Sequence, residues 1–153
     1  AYAGISPGTV APQWVSLADV YPTVCDLAGC AFDAGRVHGR SLAPILRGES
    51  VHWDNEAVTE FHGVNSVAGT MVSIRVEDVK YCWNCANRDE LYDLADDPYE
   101  MVNRIDDPDC SLIVRELRER LAEWMRETGH PSRAIYMQSR LGRLTFRRTS
   151  ATK

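Results

Sequence analysis

The sequence predicts an α+β fold, with two short helices followed by a four-stranded antiparallel sheet packed by a long C-terminal helix. Three observations carry that prediction. Segments with helical periodicity, closed by glycine, lie towards both ends of the 153 residues. Four short runs rich in β-branched and aromatic residues lie between them. Turn residues separate those runs too closely for crossover helices, which favours antiparallel pairing. The length suits one ordinary domain with a real core, and 44% hydrophobic with 25% charged residues is a globular composition.

The first helix is expected near Ser16–Gly29. Leu17, Val20, Val24 and Leu27 share a helical face, and Gly29 suits the position after the last turn. Pro22 is compatible if Asp19 is the N-cap, because the first N–H groups of a helix have no internal partner. The device recurs at Gly39–Gly48, with Ser41 capping, Pro44 at the third position and Gly48 closing. Strands are expected at Glu56–Phe61, Met71–Val76, Val79–Trp83 and Glu90–Leu94. In Cys110–Thr128, Ile113, Leu117, Leu121 and Trp124 form one apolar face with Val114 and Met125 beside it, and Gly129 and Pro131 stop the helix. The acid-rich stretch Asp89–Glu100 reads as a strand followed by a helix start, with Asp97 as N-cap, Pro98 at N1 and Glu100 at N3 completing a capping box.

The net charge of −5 conceals an asymmetry. Residues 1–127 hold all 22 acids and 11 bases, a net of −11, whereas residues 128–153 hold six bases and no acid. The basic end lacks the aromatic interleaving of a single-strand binder, with Tyr136 and Phe146 ten residues apart, so it reads as a solvated terminus and no nucleic-acid partner is expected. No apolar run approaches the roughly 18 residues of a membrane helix, and none is expected to engage a membrane. The chain opens on Ala1 without a signal-like segment, which allows it to be a piece of a longer protein. Five cysteines include Cys82 and Cys85 at zinc-knuckle spacing, with Cys25 and Cys30 as the other pair such a site would need; buried or loop thiols are the simpler reading.

Taken together, "SPGTVAPQWVSLADVYPTVCDLAG", "HGRSLAPILRG", "TEFHG", "VKYCWN", "DELYDLADDPYEMVN" and "LRERLAEWMRETG" resemble the C-terminal part of the sulfatases, in the alkaline-phosphatase superfamily. The similarity covers roughly residues 4–130 in the family's order, and it is strongest to the sulfamidase-like C-terminal domain of bacterial sulfatases. The resemblance implies that residues 1–50 are the tail end of a large α/β catalytic domain. It makes residues 51–130 the smaller C-terminal subdomain, and residues 131–153 remain as a basic tail. It also implies a parent enzyme that hydrolyses sulfate esters with a formylglycine and a calcium ion.

The motifs for that chemistry do not occur here. No cysteine has proline at +2, and no serine has both proline at +2 and arginine at +4, so C/S-x-P-x-R is absent. The family's early paired aspartates and later Asp-Asn metal ligands are also not found. The expectation is a sulfatase segment with no catalytic residue and no cofactor of its own. It would need the N-terminal catalytic portion or another chain, and would supply scaffold and the rim of the substrate pocket. The alternatives are a free-standing interaction module derived from that domain, or a small zinc module on Cys82 and Cys85. The resemblance implies that the loop after this strand faces the rim of the sulfate pocket, so substrate contact is expected from Glu60 and His62, which alternate onto one face of the strand end, where a carboxylate can orient an imidazole. Arg75 and Lys80 are expected to pair with acidic neighbours and His38 to be structural, while His52 and His130 carry no motif. EF-hand spacing from Asp93 fails at Ala95 and Pro98, and no H-E-x-x-H, G-x-S-x-G, P-loop or G-x-G-x-x-G occurs.

Overall fold

The computed structural model describes residues 4–63 and 69–139. The chain divides into two compact units, Ala1–Ala57 and Val58–Lys153.

In the first unit, a 3-10 turn at Leu17–Asp19 leads into α1, Val20–Ala28, and α2 follows at Ala43–Leu46. Asp19 and Thr23 hold this unit together. The Asp19 carboxylate, 6% exposed, accepts the backbone N–H of Ser16 at 2.7 Å and of Arg40 at 2.8 Å. The Thr23 hydroxyl donates to the Asp19 carbonyl and accepts from Leu42 N–H at 2.8 Å. The N–H groups of Ser16, Arg40 and Leu42, which lie outside helix and sheet, thereby find acceptors. The chain can come this close only at a glycine, because a Cβ on Gly39 would lie 2.1 Å from the Ala18 carbonyl oxygen. Asp19 is the N-cap residue of α1 by position, but its side chain serves the preceding turn and the 40–42 segment instead of α1. Gly29 closes α1 at φ 66° as expected. Pro44 falls one place earlier than expected because α2 begins at Ala43, though the Ser41 hydroxyl still accepts the Ala43 N–H at 3.2 Å. The apolar face of α1 is bare, with Val20 50% and Val24 58% exposed, and Leu17 in the preceding turn is 91% exposed.

In the second unit, β1 (Glu56–Phe61), β2 (Met71–Val76), β3 (Val79–Asn84) and β4 (Glu90–Asp93) form an antiparallel meander in the order β1-β2-β3-β4. The β2–β3 hairpin pairs Val76 with Val79, and β3–β4 pairs Tyr81 with Leu91. α3, Ser111–Glu127, lies on the sheet. Val72 and Ile74 of β2, Tyr81 and Trp83 of β3 and Leu91 of β4 meet Val114, Leu117, Leu121 and Met125 of α3 in one buried cluster. Ile113 and Trp124 sit at its edge. Burying each large side chain is worth about 1.5–3 kcal/mol, and this face of the helix supplies most of that gain. One charged group is buried with it. Asp89, 2% exposed, accepts from Tyr81 Oη at 2.9 Å and from the Arg118 guanidinium at 2.8 Å. Burial and the Asp89 charge push the Tyr81 phenol well above its ordinary pKa, and its hydroxyl donates to Asp89 while accepting from Arg118 Nε at 3.3 Å.

The structure corrects two sequence expectations. No helix starts at Asp97. Glu100 adopts φ 57°, a left-handed conformation that ends any helical run, and its carboxylate pairs with Lys80 Nζ at 2.8 and 2.9 Å. The Asp97 carboxylate instead closes a turn by accepting Val102 N–H at 2.8 Å, and these backbone bonds hold its carboxyl below the usual range. The Asp-Pro pair that opens the long helix is ten residues on. Asp107 caps the 3-10 turn Pro108–Cys110, accepting Asp109 N–H at 3.0 Å, and α3 continues from it. The second correction concerns the basic end. Residues 133–139 are helical, and Tyr136 is fully buried, edge-on to Trp83 at 5.2 Å, with its hydroxyl on the Arg118 carbonyl at 2.8 Å. The remaining basic residues from Arg140 onwards lie outside the described residues.

Candidate functional site

Glu60 and His62 flank Phe61 at the end of β1, and the two-residue period of a strand sends both side chains the same way. Glu60 Oε2 lies 2.8 Å from His62 Nε2. A third side chain joins them from 70 residues away, with His130 Nε2 3.0 Å from the same oxygen. The end of α3 places it there. Gly129 takes φ 62° and its N–H bonds to the Arg126 carbonyl, while His130 N–H bonds back to the Met125 carbonyl at 2.9 Å. That is a Schellman closure, which folds the residue after the glycine back over the last turn. His130 therefore packs against Trp124, ring centroids 5.6 Å apart, and stacks on His62 at 5.8 Å.

The tautomer of His130 follows from its neighbours. Ser132 N–H donates to His130 Nδ1 at 3.1 Å, so Nδ1 holds the lone pair and Nε2 carries the proton that goes to Glu60. The His130 side chain is 4% exposed and His62 is 49% exposed. Burial works to raise the Glu60 pKa, yet hydrogen bonds and charge from both imidazoles outweigh it and hold the carboxyl below its ordinary range. The result is one carboxylate oxygen shared by two imidazoles, one ring locked and buried, the other facing outward.

This is also the group of side chains, among the described residues, whose donor atoms converge closely enough for a metal, all within 4.8 Å. It does not fit calcium, the ion implied by the sulfatase resemblance. Calcium takes about six to eight oxygen ligands, and two imidazoles with one carboxylate do not provide them. Nor does it present a ready site for a softer ion, since Ser132 keeps the proton on the His130 nitrogen that would have to bind it.

The sequence matches, over residues 2–127, the family described as N-sulphoglucosamine sulphohydrolase, C-terminal. The chain belongs to this family. The Delta 4,5-hexuronate-2-O-sulfatase of Bacteroides thetaiotaomicron is 37% identical to this chain over 122 residues, 76% of this chain and 25% of that protein. Arylsulfatase K of Mus musculus is 32% identical over 109 residues, 65% of this chain and 20% of its own length. The solved phosphonate monoester hydrolase of Agrobacterium radiobacter matches with a TM-score of 0.68 at 28% identity, covering 76% of this chain and 26% of that one. The chain thus spans about a quarter or less of the length of each of these relatives.

The other residues singled out in the sequence are placed as follows. Arg75 donates to the Glu77 carbonyl at 2.9 Å and pairs with Asp78 at 3.3 Å in the β2–β3 turn. Lys80 is committed to Glu100. His38 is exposed, and His52 bonds Asp54 at 2.9 Å on the surface. All five cysteines are free thiols. Cys82 is buried on β3, where burial pushes its thiol up to about 11, and Cys85 accepts Thr70 N–H at 3.0 Å. His130 is the residue that the sequence did not single out. Its signal was positional, since it directly follows the glycine that closes the long helix, a place usually held by an apolar residue folded back on the helix.

Proposed function

We propose that this chain acts as the C-terminal segment of a sulfuric ester hydrolase, contributing scaffold and, through Glu60 and His62, part of the rim of the substrate pocket. One observation carries the reading: the Glu60–His62 pair stands at a strand end, with the imidazole held by the carboxylate and half exposed. An imidazole fixed in this way makes one directional contact at low entropic cost. The absence of C/S-x-P-x-R from the 153 residues supports a chain that is inactive alone. The bare apolar face of α1 supports a covering partner, either an upstream portion of the same polypeptide or another chain, over an independent interaction module. In a complete enzyme the formylglycine and calcium would come from that upstream portion.

The test uses a polypeptide extended upstream to include a C/S-x-P-x-R motif, assayed on sulfate esters and on a phosphonate monoester. His62→Ala should raise KM several-fold with little change in kcat, the mark of a residue that holds substrate without taking part in the chemistry. An unchanged KM for every substrate turned over would remove the rim assignment.

A further inference from the structure

The bonding around His130 leads beyond that reading. Glu60 has to satisfy two requirements to orient His62: it must be ionised, and the oxygen facing the ring must be fixed in place. The second is met by a residue outside the matched family region, which ends at residue 127. His130 is 4% exposed, its Nδ1 is committed to Ser132 N–H, and its Nε2–H is aimed at the Glu60 oxygen that His62 also uses.

We propose that His130 is a positioning residue that locks Glu60, so that His62 keeps its proton on Nε2 and presents the lone pair of Nδ1 outward. Among the described residues, His62 Nδ1 has no hydrogen-bond partner. The group His62 meets is then a donor, such as a hydroxyl or an ammonium, and not a sulfate oxygen. On the rim reading, this sets His62 against the alcohol portion of a sulfate ester. The inference rests on the rim assignment of Glu60 and His62 for its substrate class, but the lock itself is a property of the free chain.

Long-range proton–nitrogen correlation spectra of the imidazoles, recorded at pH 8 on the uniformly labelled full chain, test the lock. His130 and His62 should each show a single tautomer protonated on Nε2. In His130→Ala, His62 should relax to the mixture of tautomers seen for a free imidazole. In His130→Gln, whose amide nitrogen reaches about as far as the lost ring nitrogen, the single tautomer should return. Dispersed backbone resonances for Val72, Tyr81 and Leu121 would verify that each variant is folded. If His130→Ala proves unfolded, Glu60→Gln supplies the same readout. A His62 tautomer that stays single in folded His130→Ala would overturn the proposal. So would equimolar zinc shifting the Nε2 resonances of both rings, which would make the cluster a metal site. None of these outcomes needs a substrate, so they separate the lock from the rim assignment. If the KM effect of His62→Ala fails while the tautomers behave as stated, the rim assignment is wrong and the lock stands.

Discussion

Asn103 is the residue whose removal should damage the second unit most for its size. It belongs to the stretch that runs from β4 into the loop before α3. Its Oδ1 accepts two backbone N–H groups, those of Leu91 and Ile105, each at 3.0 Å, and its Nδ2 donates to the Asp89 carbonyl at 3.2 Å. Arg104 N–H adds a bond to the Leu91 carbonyl at 2.8 Å. β4 is the last strand of the meander. Asn103 and Arg104 therefore occupy main-chain groups on the side of β4 where a further strand would otherwise pair. Leu91 is 2% exposed, so its N–H cannot turn to water if Asn103 is truncated.

With three bonds lost at roughly 0.5–1.5 kcal/mol each and one donor left buried, Asn103→Ala should cost about 2–4 kcal/mol. At an m-value of about 2 kcal/mol per molar urea, the midpoint should fall by about 1–2 M. The assay is urea titration followed by circular dichroism together with the fluorescence of buried Trp83. Asn103→Asp provides the control. It keeps both acceptor bonds, loses the donor bond and sets a carboxylate beside the Asp89 carbonyl, so it should cost about half as much. A loss below about 0.5 kcal/mol for the alanine variant would refute the claim that this side chain holds the edge of β4.

Four further changes have defined outcomes. Gly39→Ala forces a Cβ to within 2.1 Å of the Ala18 carbonyl oxygen and should lower stability by at least about 1–3 kcal/mol in thermal melts. The depressed Glu60 pKa makes its contribution fully present above the ordinary Glu value, and it should be lost as pH falls through the lower folded value. The difference in urea midpoint between the parent and Glu60→Gln should accordingly be larger at pH 7 than at pH 3. Asp97→Ala should speed hydrogen exchange at the Val102 amide, its 2.8 Å partner, while leaving exchange within α3 unchanged. Replacing exposed Leu17 and Val24 by lysine should leave the dichroism spectrum intact and reduce self-association on a sizing column.

The sheet and the long helix were legible in the sequence because both rest on strong periodicities. Glu56–Phe61 and Met71–Val76 form as read, and the α3 face that carries Leu117 and Leu121 is the face the sheet covers. The failures came where one local signal could be met in two ways. Asp97-Pro98 and Asp107-Pro108 are equally good helix starts on paper. The choice was made by Lys80 drawing Glu100 into a left-handed turn, a contact 20 residues distant in sequence. Tyr136 looked like part of a solvated tail because an isolated tyrosine among basic residues has no periodic partner. Its burial depends on Trp83 and on the Arg118 carbonyl.

The candidate site was half legible. Glu60 and His62 were readable from strand alternation, but His130 reaches them only through a helix terminus and a 70-residue separation. The residues that made the family resemblance specific also acquire physical roles. Asp19 and Thr23 of "DVYPT" anchor the 40–42 segment, and Asn103 of "DPYEMVN" anchors β4.

The family match gives the fold of this chain, and the proposed rim contact without reacting groups makes a single prediction about its activity alone. The most direct measurement is turnover of 4-nitrophenyl sulfate by the purified 153-residue chain, with calcium added and with calcium chelated. Nitrophenol should be released at the buffer rate in both conditions. Calcium-dependent turnover by the chain alone, abolished by heat denaturation, would contradict it.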